Sequence, residues 1–102
     1  MTVLSNPANA LGDGRKVVAA AGTAERLSAS SVRCRSLVVT AESDNTGVVV
    51  VGGATVVAAL ATRRGTPLVA GQSVALDVTN LKAVFIDSTV NGDGVTFTYL
   101  TA

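Results

Sequence analysis

From Lys16 onward the chain is cut into short apolar pieces, rich in Val and Thr, by Gly, Asn, Asp and Ser. This punctuation constrains the fold more than any other feature, because pieces so short bury a face most readily as strands. VTFTYL at 95–100 shows it plainly: Val95, Phe97 and Tyr99 alternate with Thr96 and Thr98. In an extended chain that alternation separates an apolar face from a polar one. SVALDVTN at 73–80 repeats it, with Val74, Leu76 and Val78 opposed to Ser73, Ala75, Asp77 and Thr79.

The remaining pieces read the same way. KVVAA (16–20) is expected as the first strand, with a short second one around Glu25 to Ser28. In RCRSLVVTA (33–41), Arg33 and Arg35 alternate with Cys34 and Ser36 before an apolar run through Leu37, Val38 and Val39. One face is expected to be buried first and both faces later. GVVVVGG (47–53) reads as a fully buried strand ended by glycines. ATVVAALATRR (54–64) permits a short helix through its alanines, but Val56, Val57 and the flanking glycines favour a strand or an irregular hairpin. AVFID (83–87) and VTFTYL are expected to form the last pair.

Short strands at this spacing predict an all-β fold, a small antiparallel β-sandwich or barrel. Residues 1–14 carry Asn6, Pro7, Asn9, Gly12, Asp13 and Gly14 without a sustained period, and are expected to form an extended N-terminal arm that orders on contact. Residues 15–102 then make a single β domain, as the length of 102 residues suggests. The start, MTVLSNPANALGDGRK, has no basic segment followed by an apolar core, so no secretory signal is expected. Mean hydropathy is +0.49, yet the apolar runs stop well short of a membrane span. So much aliphatic surface points to a partner that hides part of it.

The chemistry-bearing residues are sparse. DSTVNGDG (87–94) begins like a calcium loop, with Asp87, Thr89 and Asn91 at alternate positions before Gly92. Such a loop needs a bidentate acid at its twelfth position, which here is Thr98, and helices on both sides. Asn91-Gly92 and Asp93-Gly94 instead supply a hairpin turn. ESDNTG (42–47) likewise reads as a solvated turn, and GVVVVGG lacks the Gly-Lys-Ser/Thr ending of a phosphate loop. The chain has no histidine, and Cys34, its one cysteine, falls on an inward-facing position. No enzyme activity, cofactor or metal is therefore expected. A net charge of +1 and 3% aromatic residues argue against nucleic acid and anionic membranes as partners. The expected contacts with a partner protein are Pro7 and Leu11 of the arm, Arg15 and Lys16 where it meets the domain, and Arg63 and Arg64.

Several phrases occur in a familiar order. Gly22-Thr23-Ala24 and Leu27 come first, then Cys34 with its apolar run, then Asn45-Thr46-Gly47 and Val51-Gly52-Gly53. Leu68-x-x-Gly71-x-Ser73, Asn80-Leu81 and Gly92-Asp93-Gly94-Val95 follow. Across roughly residues 20–100 this order resembles small virion proteins of tailed bacteriophages, of the kind that decorate or cement the head. The resemblance implies a β-rich module, made in the host cytoplasm, that binds the major capsid protein on the outside of the virion and stabilises the shell. It also implies a homo-oligomer, with a trimer favoured. The alternative is a neck- or tail-associated module that recognises a host-surface carbohydrate or receptor.

Overall fold

The computed structural model describes residues 10–102, so much of the expected arm, Pro7 included, lies outside the described residues. Eight strands follow in chain order: β1 Leu11–Val17, β2 Glu25–Arg26, β3 Cys34–Ala41, β4 Val49–Gly52, β5 Thr66–Leu68, β6 Ser73–Leu76, β7 Phe85–Ser88 and β8 Gly94–Thr101. Short 3-10 turns occupy Leu60–Thr62 and Leu81–Ala83.

The pairing is nested. β1 pairs with β8, β2 with β7, β3 with β6 and β4 with β5, all antiparallel. A long hairpin of this kind, wrapped around itself, puts alternate rungs on opposite sides of a core. A β3–β8 ladder joins two rungs into a front sheet, β1-β8-β3-β6, and a β4–β7 ladder joins the others into a back sheet, β2-β7-β4-β5. Two sheets in this order form a jelly-roll sandwich. The all-β antiparallel fold expected from the sequence, a sandwich or a barrel, is thus observed as a sandwich.

The core lies between the sheets. Leu37, Val39 and Ala41 of β3 and Val95 and Phe97 of β8 face Val49 and Val51 of β4 and Ile86 of β7, with Leu27, Leu68, Leu81 and Val84 sealing the rim. A second, smaller cluster lies behind the back sheet. There Val50, Val56 and Ala58 are buried, because residues 54–62 fold back over the sheet. This excursion is an irregular hairpin, with one isolated bridge between Val57 and Arg64. It explains why GVVVVGG is buried on both faces: Val49 and Val51 point into the sandwich, and Val50 under the excursion. Each such side chain contributes about 1.5–3 kcal/mol when fully buried.

Three expectations need correction. β7 and β8 are not partners: β7 lies between β2 and β4 and β8 between β1 and β3, so residues 89–93 cross from one sheet to the other. The turn is there, with Gly92 at φ +90°, but nested wrapping makes it a crossover instead of a hairpin. Second, Val38 stays 42% exposed, since nothing in the described chain covers the front sheet. Third, residues 11–14 belong to β1, not to an arm.

Residues 11–14 are strand for a specific reason. Gly12 and Gly14 look like loop residues, but they stand opposite Tyr99 and Phe97 in the β1–β8 ladder. Those two rings, 6.3 Å apart, fill the space where β1 side chains would otherwise point. A Cβ on Gly14 would lie 2.5 Å from Cζ of Phe97. Glycine is required here for close approach of an aromatic ring to the strand backbone.

Candidate interaction surface

The ladder registers define two ends of the sandwich. Val17 opposite Gly94 and Ala41 opposite Val95 mark the upper end, where residues 18–24, 42–48, 69–72 and 89–93 gather. Leu11 opposite Leu100 and Cys34 opposite Thr101 mark the lower end, shared by residues 27–33 and 77–84.

The carboxylates of the apparent calcium loop are spent on the upper loops. Asp87, fully buried, accepts backbone N–H groups from Gly22 and Ser88 on Oδ1, both at 2.8 Å, and from Ala58 on Oδ2 at 2.9 Å. Asp93 accepts from Thr46 at 3.1 Å and Gly47 at 2.7 Å. Asn45 pairs its side-chain amide with Gly94, donating to the carbonyl and accepting from the N–H, both at 2.9 Å, as a neighbouring strand would. These groups tie residues 18–24 and the 54–62 excursion to β7, and residues 42–48 to the 89–94 segment, through donors that compensate the burial of charge. At the lower end Asn80 does similar work, accepting from Val32 and Lys82 N–H groups and donating to Ser31. Among the described residues no three His, Cys, Asp or Glu side chains are grouped as metal ligands would be.

The expected contact residues do not form one patch. Arg15 binds Glu42 through Nε and through Nη2, the latter at 2.9 Å from Oε1. That hydrogen bond holds the Glu42 carboxyl below its usual range and raises Arg15. Lys16 pairs with Glu25 at 3.1 Å. Burial pushes Glu25 up, but the N–H groups of Ala20 and Ala19 together with Lys16 outweigh it and bring it below the usual range. Arg63 donates to the carbonyl of Ala58 at 3.0 Å, bracing the excursion, and Arg64 is exposed beside it. Leu11 is 67% exposed. Pro7 lies outside the described residues.

The outer faces of the two sheets are treated differently. Part of the back face is covered by the chain's own excursion. The front face is open. Across it run Leu11, Leu100 and Ser36 in one row, Asp13, Thr98, Val38 and Ala75 in the next, and Arg15, Thr96, Thr40 and Ser73 in a third. The two central strands of the sheet carry no charge in these rows. Leu11, Ser36, Val38, Thr98 and Leu100, with Tyr99, line a shallow groove there. Sequence reading singled out Leu11 and missed Val38 and Leu100. The available signal is that Leu100 continues the outward-facing set Thr96 and Thr98, which carries no charge.

Searches of protein-family models, of curated proteins and of solved structures each find no match to this chain.

Proposed function

We propose that this chain is a structural binding module of a virion, a head decoration protein that coats the capsid of a tailed bacteriophage and stabilises it. In this reading it is made in the host cytoplasm, assembles with copies of itself, most simply as a trimer, and binds the major capsid protein on the outer surface of the shell. The observation that carries the reading is the asymmetry between the sheets. The chain folds a loop over the back face yet leaves Leu11, Val38 and Leu100 at 67%, 42% and 38% exposure on a flat, largely uncharged front face. Exposed leucine and valine side chains on an open sheet face are a usual mark of a contact surface. Repetition across a lattice makes a contact of modest size effective through avidity.

The carbohydrate-binding alternative has less support. A sugar site needs an aromatic face open to solvent, and here Phe97 is buried while Phe85 and Tyr99 are half-buried. Phe97 and Tyr99 lie beneath the glycines of β1, and the Arg26 guanidinium covers Phe85 at 4.8 Å.

The test is the copy number of the protein relative to the major capsid protein in purified particles, by quantitative mass spectrometry. A ratio near one, with capsids that open at lower temperature when the protein is omitted, is the expected result. A few copies per particle would move it to the neck or tail, and absence from the particle would end the virion reading.

A further inference from the structure

The net charge of +1 conceals a separation of charge along the sandwich. Of the eight cations in the chain, Arg15 and Lys16 are neutralised at the upper end by Glu42 and Glu25. Arg63 and Arg64 belong to the excursion behind the back sheet. The other four, Arg26, Arg33, Arg35 and Lys82, lie on segments that meet at the lower end, Arg26 and Lys82 on its back-sheet side and Arg33 and Arg35 on its front-sheet side. Arg26 Nη1 donates to the Lys82 carbonyl at 2.8 Å. Arg33 forms an antiparallel bridge with Asn80, whose side chain caps the turn that carries Lys82. Arg35 lies on the irregularity in β3 between Cys34 and Ser36, which leaves Arg35 on the surface while Cys34 and Leu37 both stay buried. All four are exposed, and none makes an ion pair among the described residues.

The acids are placed the other way. Glu25, Glu42, Asp87 and Asp93 hold groups at the upper end and Asp44 lies in the 42–48 loop there, which leaves Asp77 near the basic end and Asp13 on β1. At physiological salt the screening length is about 8 Å, so a partner meets the local patch and not the net charge.

We infer that the lower end of the sandwich, presenting Arg26, Arg33, Arg35 and Lys82, docks on an acidic protein surface. Guanidinium groups match carboxylates in a two-pronged geometry. A nucleic acid fits less well. The Phe85 ring is already covered by Arg26, Tyr99 is half-buried against Phe97 and the glycines of β1, and Asp77 adjoins the basic end. The basic end also adjoins the open face: Ser36, next to Arg35, pairs with Leu100 in the row that ends at Leu11. An apolar centre bordered by arginines is the usual build of a protein–protein contact. The inference extends the proposed function by naming the chemistry of the partner's surface, and rests on it only for the partner's identity.

The experiment is a fluorescence-anisotropy titration of a fluorescein-labelled oligo-glutamate peptide with the full chain at low salt, alongside a single-stranded DNA oligonucleotide of equal charge. Wild type is compared with Arg33→Glu/Arg35→Glu and with the control pair Arg63→Glu/Arg64→Glu. Arg33→Gln/Arg35→Gln provides a milder lower-end variant, and thermal melts check that each protein is folded. The expected result is oligo-glutamate binding weakened about tenfold or more by the Arg33/Arg35 reversal and by about twofold or less in the control. Equal losses in both pairs, no binding by wild type, or tighter binding of the DNA would overturn the inference. Peptide binding by a protein that is absent from virions keeps the docking surface and rejects only the capsid reading.

Discussion

Replacing Asp87 by Asn tests whether a buried carboxylate is what holds the back-face excursion in place. Its Oδ1 accepts from Gly22 and Ser88, and its Oδ2 from Ala58. Asparagine keeps one oxygen, which serves the first two donors, and turns an NH2 group toward the Ala58 N–H. That buried N–H loses its acceptor, at a cost of about 1–3 kcal/mol, and the two surviving bonds weaken because their acceptor is no longer charged. Relief from burying a charge without a cation offsets part of this. The net expectation is a loss of about 2 kcal/mol, which for a domain of this size lowers Tm by roughly 8–16 °C. Urea or thermal denaturation reads the global effect. Hydrogen exchange at Ala58 reads the local one, because that N–H ties residues 54–62 to the sheet and its loss lets them open independently. Ala58 exchange should accelerate more than that of Val51, which lies in the β4 ladder. An unchanged or raised Tm together with unchanged Ala58 protection would refute the reasoning.

Gly14→Ala places a methyl group against the Phe97 ring and should cost about 1–3 kcal/mol, with partial recovery in Gly14→Ala/Phe97→Leu, both read by denaturant melts. Glu42 is held below its usual range first by its hydrogen bond to Arg15, so its contribution is present above the unfolded value and disappears as pH falls through the lower folded value. Glu42→Gln, or high salt, should flatten that acid limb of a Tm-against-pH curve; an unaltered limb would show the pair contributes nothing there. Burial raises the Cys34 thiol, and its Sγ donates to the Val78 carbonyl at 3.2 Å, so a disulfide reagent at pH 8 should label it slowly in the native protein and promptly in urea. Prompt labelling of the native protein would mean that this end of β3 opens readily. Val38→Glu, on the open face, should leave the isolated protein's stability within about 0.5 kcal/mol; if the proposed capsid role holds, it should also abolish co-sedimentation with capsids.

The strands themselves were legible. β6 and β8 announce themselves by alternation, β4 by its valine run, and the inward direction of Cys34 by its place beside Arg33 and Arg35. Alternation and turn residues act over a few neighbouring positions, so a linear reading finds them. The turn at Asn91-Gly92 was equally local, but the hairpin it was expected to close is a crossover between the sheets, and Asp87 and Asp93 on either side of it are engaged by backbone N–H groups.

Tertiary structure decided whatever depends on residues far apart in the chain. Val38 and Val50 sit in similar apolar runs, yet Val50 is buried by residues 54–62 while Val38 is left open. Gly12 and Gly14 became strand only because Tyr99 and Phe97 arrive opposite them from the other end of the chain. The pairing of β1 with β8 and the separation of β7 from β8 follow from wrapping a nested hairpin, and no strand carries its partner's address in its own composition. The same wrapping gathers Arg26, Arg33 and Lys82, distant in sequence, at one end. Side-chain alternation is a property of the local backbone, so sequence reports it. Coverage of a sheet face and clustering of charge are properties of long-range contacts, so they exist only once the chain has closed on itself.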